Sequence, residues 1–540
     1  MSLPGLMQPT PLTIPLIFER MRTVFADGRV IGHDDVTTYG ALAERVLKLA
    51  TALTDELGIR PGDRVATFGH NSIRHLELYY AVPLIGAVLH TINVRLFDDQ
   101  IAWIANHAED RVVFCDAELA GQLAGVADQL ATVERIVVMG DDDDARGVLA
   151  GAHGHGVLDH DALVAAHDPA TDLPELDEND ACGLCYTSGT TGDPKGVLSS
   201  HRATVLHAMA ACMADHIGLH ESDVVFPVVP MFHAFGWGLP YAAPLTGAEL
   251  VLHGADSSPS NLGDAITRHG VTVAAAVPTI WKALLPGLHD GSIDASALRL
   301  VFVGGSASPR ALIEAYDDLG IEYLQVWGMT ETGPLACASR PRRRHRGLSR
   351  DELLDVRERT GTIFAGLEAR ITAPDGRPVA HDGVAVGELE VRGPWIASAY
   401  YGVDAADRFN DGWLRTGDMA LMEHDGEFRI VDRAKDLVKS GGEWISSVEL
   451  EGHLLAHPAV ADAAVVGVPS HRWDERPVAV LVAVDESDPP TLEQVRDFLA
   501  DRVAKWWLPD AVEIVAEIPK TSVGKLDKKL LRGQLDVVLD

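Results

Sequence analysis

Cysteine is scarce in this 540-residue chain: there are five, scattered at Cys115, Cys182, Cys185, Cys212 and Cys337. So few, odd in number, exclude a dense disulfide framework and fit free thiols in a reducing compartment. Cys182 and Cys185 form a CxxC, but no second pair completes the set of about four ligands that a structural zinc needs. Both read as strand residues leading into a glycine-rich loop. Cations are also scarce. Lys and Arg number 45 against 79 Asp and Glu, a net charge of −34, which argues against nonspecific nucleic-acid binding. Long apolar runs are missing too. The longest, Leu78 to Val94, carries Pro83 and His90, is short for a bilayer and reads as a buried helix. No basic-then-apolar leader precedes Arg20, so the expected compartment is the cytoplasm, with no stable membrane insertion. The one dense acidic run, Asp141 to Asp144, lacks EF-hand spacing and reads as a solvated loop. The nearby His153, His155 and His160 are expected in an exposed loop as well.

Apolar residues make up 47% of the chain, enough for large cores, and the length implies about two to four domains. Short β-branched runs at Val112–Phe114, Arg135–Met139, Val271–Val273 and Leu300–Val303 alternate with helical segments at 39–57 and 309–319. That alternation predicts an α/β fold with parallel sheets covered on both faces. Ser308-Pro309 reads as the cap and first turn of the second helix. Hairpin-like strands follow from about Gly361, where a β-barrel-like subdomain is expected. After Ile430-Val431-Asp432-Arg433-Ala434-Lys435 comes a compact unit with helices at 447–456 and 491–503. The expected layout is a large domain over 1–431, a hinge at 432–435 and a small α+β lid domain over 436–540.

The most telling stretch is Tyr186-Thr187-Ser188-Gly189-Thr190-Thr191-Gly192-Asp193-Pro194-Lys195-Gly196. Its glycines allow close approach to an anion, its hydroxyls and backbone N–H groups donate, and Lys195 adds positive charge. It is not a Walker A loop, because Gly196 rather than Ser or Thr follows the lysine. The pattern points to a nucleoside triphosphate, with any metal held elsewhere. Downstream, Pro230-Met231-Phe232-His233-Ala234-Phe235-Gly236-Trp237-Gly238 suits a wall beside an apolar ligand. Val303-Gly304-Gly305-Ser306 ends a strand before a helix, where open α/β sheets bind ligands. Gln325-Val326-Trp327-Gly328-Met329-Thr330-Glu331 supplies a hydroxyl and a carboxylate, and Trp413–Asp418 places an Asp on an expected turn, fit for a ribose diol. No Gly-x-Ser-x-Gly elbow occurs, so no covalent nucleophile is evident.

In these ordered motifs, closing with Pro519-Lys520-Thr521-Ser522-Val523-Gly524-Lys525, the chain resembles the adenylate-forming superfamily of acyl-CoA synthetases, luciferases and peptide-synthetase adenylation domains. The resemblance runs nearly end to end. It implies ATP, magnesium and coenzyme A as co-substrates and cofactors, and a homodimer as a family expectation. Thr187, Ser188, Gly189, Thr190, Thr191 and Gly192 would line the phosphates with Lys195. Glu331 and Thr190 would hold the metal, and Thr330 would contact phosphate. Gly304, Gly305, Ser306, Gln325, Val326, Trp327 and Gly328 would surround adenine. Asp418 and Arg433 would bind ribose, Lys435 would be the hinge, and Lys525 the catalytic lysine. Lys439, Gly441, Gly442, Glu443 and Trp444 would serve the thiol half-reaction. His233, Phe235, Trp237, Val303 and Gly304 would line the acyl site, with His233 also counted as catalytic. One departure stands out: the family usually has Tyr where Trp327 stands.

Trp237, Gly393-Pro394-Trp395-Ile396 with Tyr400-Tyr401-Gly402, Ser440-Gly441-Gly442-Glu443-Trp444-Ile445-Ser446-Ser447 and Ala504-Lys505-Trp506-Trp507-Leu508-Pro509 resemble the fatty-acyl-CoA synthetase branch, which also holds ligases for methylthiopropionate. Trp237 reads as a gate or as core packing, and His233 as a site residue or a satisfied core histidine. The arginines of Arg340–Arg350 would meet a CoA phosphate or pair with local acids. An enzyme loading a carrier-protein thiol is the rival within the superfamily, though no carrier domain is expected after Lys525. A nucleotide-sensing relic would have lost Lys525 or Glu331, and neither is lost.

Overall fold

The computed structural model describes residue 3 and residues 5–152, 156–187, 193–440, 443–520 and 526–535, with the backbone alone at Glu443. Two large sheets carry the first four-fifths of the chain. The first has seven strands, in the order Val157–Asp159, Arg135–Met139, Asp110–Asp116, Arg64–Phe68, Val88–Thr91, Ala181–Tyr186 and Gly196–Ser200. All pairs in it are parallel except the last. The second has 14 strands. Its parallel part runs Val224–Pro227, Val273–Ala276, Leu300–Val303, Glu322–Gly328. At Leu335–Ala338 the direction reverses, and an antiparallel arm continues through Gly361–Ile363, Glu427–Arg433, Trp413–Met422 and Val386–Arg392. The strands expected from about Gly361 to form a barrel-like subdomain make up most of this arm, which continues the second sheet.

Strand side chains alternate faces, and the alternation builds the layers. Val65, Val112 and Phe114 of one sheet and Val273, Leu300 and Phe302 of the other share a core with the helices Ile14–Thr23, Tyr39–Thr51, Ile73–Leu84 and His201–Cys212. Those helices are therefore sandwiched between the sheets. The intervening residues Phe68, Val113 and Ile136, and Ala274, Val301 and Val303, face outer helices. A parallel sheet covered on both faces needs apolar residues at every position, which explains runs such as Leu300–Val303. No described helix is long and apolar enough to cross a membrane.

A five-stranded sheet forms the small domain, around the hairpin of Val460–Ser470 and Asp474–Ala483. Strand Glu427–Arg433 still belongs to the large sheet, since Asp418 pairs with Arg433 in register. A turn at 434–436 then leads to Val438–Ser440 of the small sheet. Asp432 is buried and accepts the Ser447 backbone N–H at 2.7 Å, while Lys528 bridges the Ser447 hydroxyl at 2.6 Å and Glu451 at 2.7 Å. This polar cluster fixes the small domain at the end of the strand that carries it.

Several expectations are corrected. Leu78–Val94 is not one helix: helix Ile73–Leu84 gives way at Gly86, which adopts φ 76°, to strand Val88–Thr91. Asp141–Asp144 is not simply loop, because Asp142 caps helix Asp143–Ala152 and Asp143 pairs with Arg146. His160 is fully buried near Glu77 and Asp161, while His153 and His155 lie outside the described residues. Ser308 does not cap its helix; its backbone N–H donates to Gln325 and its hydroxyl accepts from Tyr323 at 2.7 Å. Asp418 is mid-strand in Trp413–Met422, not on a turn.

Burial lowers the pKa of His75, His201 and His253 to about 4 and of His207 to about 3. A folded pKa depressed below the unfolded value, about 6.5, adds stability above that value and loses it as pH falls. Burial also raises Asp116 and Glu451 to about 7, which opposes this trend, but four histidines outnumber two acids, so calorimetric melting should drop from about pH 6.5 towards pH 4. A melting temperature level across that window would contradict the neutral, buried state of these rings.

Candidate active site

Strand Ala181–Tyr186 delivers the glycine-rich loop at its C-terminal end. The neck of the loop is closed twice: Thr187 N–H donates to Lys195 O at 2.9 Å, and Lys195 N–H to Thr187 Oγ1 at 3.2 Å. Ser188, Gly189, Thr190, Thr191 and Gly192 lie outside the described residues. Beyond the neck, Gly196 O accepts from Tyr401 N–H at 2.8 Å, which ties the first sheet to the arm of the second. Lys195 Nζ stands 5.0 Å from the centre of the Tyr400 ring, a cation–π contact. Tyr400 Oη donates to Glu331 Oε1 at 2.6 Å. Glu331 is buried on the short turn Thr330–Thr332, and its backbone carbonyl accepts from Ala397 N–H at 2.8 Å. Burial, then the Glu331 charge, hold the Tyr400 phenol firmly protonated. A cation, a phenol and a carboxylate are thus aligned where the two sheets meet. Tyr400 was legible only as part of a branch motif, not as a site residue.

The chemistry of this corner fits magnesium. Glu331 and the half-buried Thr330 offer hard oxygen donors. Among the described residues no group of three or more His, Cys, Asp or Glu could hold a metal. Magnesium needs no such cage, since it takes one or two carboxylates and completes its shell with water and substrate phosphates.

Across the parallel strands, Gly304, Gly305 and Ser306 follow Leu300–Val303, with Gly305 at φ 90° and Ser306 exposed. Trp327 is half-buried near the end of the next strand, and its indole N–H donates to Asp418 Oδ2 at 3.0 Å. Asp418 Oδ1 pairs with Arg433 Nε at 2.7 Å. The structure therefore joins Trp327, Asp418 and Arg433. Gln325 turns inward: its amide oxygen accepts from Ser308 N–H at 3.1 Å and its amide nitrogen donates to Arg357 O at 2.7 Å. Gly328 must be glycine, because a Cβ there would collide with the Pro334 carbonyl.

The motif at 233–238 forms a left-handed turn. Ala234, Phe235, Gly236, Trp237 and Gly238 have φ of 40°, 46°, 54°, 52° and 77°. Each non-glycine there is strained by roughly 1–2 kcal/mol, so the surroundings must hold it. Ala234 N–H donates to Cys185 Sγ at 3.2 Å. Phe235 packs over Gly183, where a Cβ would stand 2.7 Å from the ring, so it faces the strand that leads into the glycine-rich loop. Trp237 lies over Gly304, with its ring 6.1 Å from Phe302. Val303 points to the opposite face of the sheet, so Phe302, not Val303, stands beside Trp237. His233 opens the turn and is half-buried. Behind the turn, His207 Nε2 accepts from Leu335 N–H at 3.0 Å, and Trp395 Nε1 donates to Leu335 O at 3.2 Å. Sequence reasoning missed Phe302, His207 and Leu335, for which no motif gave a signal. Burial raises the Cys182 thiol to about 12 and Cys185 to about 11, so the CxxC stays protonated and structural.

On the small domain, Lys439 Nζ stands 5.2 Å from the Trp444 ring, and Trp444 is 41% exposed, open to a ligand. Lys435 lies in the turn at 434–436. Gly441, Gly442, Lys525 and the Glu443 side chain lie outside the described residues. The arginine-rich stretch is largely neutralised: Arg340 pairs with Glu322, Arg342 with Asp425, Arg344 with Asp425 and Glu427, and Arg350 with Asp317 and Asp318.

A family profile described as AMP-binding enzyme matches residues 18–401, and one described as AMP-binding enzyme C-terminal domain matches residues 449–525. The chain belongs to the AMP-binding enzyme family. It is 43% identical to the 3-methylmercaptopropionyl-CoA ligase of Ruegeria pomeroyi, over 94% of this chain and 93% of that one. It is 44% identical to the long-chain-fatty-acid–CoA ligase of Thermus thermophilus, over 99% and 97%. A crystal structure of an anthranilate CoA ligase with anthranoyl-AMP superposes with a TM-score of 0.86 at 27% identity, over 97% of this chain and 98% of that one.

Tyr400→Phe keeps the ring under Lys195 and removes only the hydroxyl that holds Glu331. Magnesium–ATP binding, measured by calorimetry, should weaken about tenfold, the loss expected for one hydrogen bond to a charged group. Unchanged binding would make Tyr400 a packing residue.

Proposed function

We propose that this protein joins an apolar monocarboxylic acid, fatty or methylthio-alkanoic, to coenzyme A. It is an ATP-dependent acid–thiol ligase that uses magnesium. The observation that carries the choice of acid is the turn at 234–238, whose wall is Trp237 over Gly304 with Phe302 behind. No cation stands in that turn to receive a second carboxylate, and desolvating an unpaired charge there is costly. Relatives named for methylmercaptopropionate and for fatty acids support the same reading. The five unpaired cysteines support a reducing, cytoplasmic setting.

In the first half-reaction a carboxylate oxygen of the acid attacks the α-phosphorus of ATP. The bond to pyrophosphate breaks, leaving acyl-AMP. Two anions must meet, so the site's task is to offset their repulsion and hold them in line. Lys195, fixed over Tyr400, and Lys525 supply positive charge. Asp418 with Arg433 grips the ribose, and Trp327 with Gly304–Ser306 frames the base. Glu331, with Thr190, would hold magnesium, which draws charge off the phosphates when bound, and Thr330 would contact a phosphate. In the second half-reaction the CoA sulfur attacks the acyl carbon and AMP leaves. Rotation at Lys435 would exchange Lys525 for Gly441, Gly442 and Trp444 at the site.

Incubating a panel of acids with ATP, magnesium and CoA, and following AMP and acyl-CoA, tests this reading. Aliphatic and thioether monocarboxylates should turn over well and amino acids or dicarboxylates poorly. Efficient use of amino acids would sink it, and indifference to CoA would favour a carrier-protein acceptor. Trp237→Gly suits the left-handed backbone and should shift preference towards longer acids. An unchanged chain-length profile would return Trp237 to core packing. Lys525→Ala should cripple acyl-AMP formation yet still convert supplied acyl-AMP with CoA; equal loss in both steps would contradict its role.

A further inference from the structure

We propose that Trp327 is a positioning residue for the ribose, because its indole N–H fixes the Asp418 carboxylate that grips the diol. The inference rests on the ribose role of Asp418 given above. Asp418 is held at both oxygens: Oδ1 by Arg433 Nε at 2.7 Å and Oδ2 by Trp327 Nε1 at 3.0 Å. Its backbone is held too, since its N–H donates to Thr416 Oγ1 at 3.1 Å. The two side-chain grips are unequal. Arg433 is 41% exposed at its side chain, so solvent screens and competes for that pair. Both grips meet the same carboxylate, only 3% exposed. In such surroundings the charge-assisted hydrogen bond from Trp327 adds a fixed direction to how the carboxylate turns.

The indole is itself fixed. Phe428 meets it edge-on, with centroids 6.0 Å apart and planes at 89°. Trp327 also bridges the parallel strands to the core of the antiparallel arm. A carboxylate oxygen has two acceptor directions, so each Asp418 oxygen, bonded once, keeps one for a hydroxyl. The base platform and the diol clamp are therefore one rigid unit, built from the indole's face and its N–H. A phenylalanine ring offers no donor, and a tyrosine hydroxyl projects from the far end of its ring rather than from its flank. The departure from the usual tyrosine thus changes how the ribose carboxylate is held.

The test uses the full-length enzyme with Trp327 replaced by 3-benzothienylalanine, which puts sulfur in place of the N–H and keeps the ring shape. Trp327→Phe serves as a second variant. Dissociation constants for α,β-methylene-ATP and its 2′,3′-dideoxy counterpart are measured by calorimetry. Wild type should prefer the ribonucleotide. In both variants that preference should fall about tenfold, the scale of one hydrogen bond to a charged group. The benzothienyl variant should keep its dideoxy affinity within about twofold, since the same stacking area remains. An equal loss for both nucleotides, or no loss, would overturn the positioning role and leave Trp327 a base platform. If wild type itself binds both nucleotides alike, the ribose reading of Asp418 fails, and this inference with it.

Discussion

Two buried carboxylates, Glu331 and Asp418, constrain everything around them. A carboxylate taken out of water without partners costs several kcal/mol, so the fold must bring donors to each. Tyr400 reaches Glu331 from the antiparallel arm, carrying its ring under Lys195 from the other sheet. Trp327 and Arg433 reach Asp418 from two different strands. Satisfying two acids thus draws the seven-stranded sheet, the parallel strands and the arm to one place. Arg433 is also the last strand residue before the turn at 434–436, so the ion pair to Asp418 and the start of the small domain share a residue.

The turn beneath Trp237 is governed by strain rather than charge. A left-handed turn at 234–238 survives because each of its residues is seated on something that cannot move far. Gly183 leaves room for Phe235, Gly304 for Trp237, and the imidazole of His207 crowds Gly238. Strain of this kind is expected where a side chain must be aimed, and here it aims an indole at a glycine in the strand-end loop.

How much of this could be read from residues alone follows the range of the forces involved. Arg135–Met139 and Leu300–Val303 were legible to the residue, because buried parallel strands are apolar throughout. The family match bore out the resemblance carried by the ordered glycine-rich and acidic motifs. Boundaries set by long-range contacts were not legible. Gly86 divides an apolar run that reads as continuous, and Ser308 looks like a cap but is claimed by Tyr323 and Gln325. Tyr400, His207 and Phe302 act across 60 or more residues of sequence: Tyr400 meets Glu331 69 residues away and His207 meets Leu335 128 away. Local pattern carries no trace of such meetings.

The central claim is that this site activates a carboxylic acid by adenylation before any thiol takes part. Acid-dependent exchange of labelled pyrophosphate into ATP, run with magnesium and without CoA, tests it most directly. Exchange should occur with apolar monocarboxylates and stop when the acid is omitted. Exchange that requires CoA, or that proceeds without any acid, would contradict it.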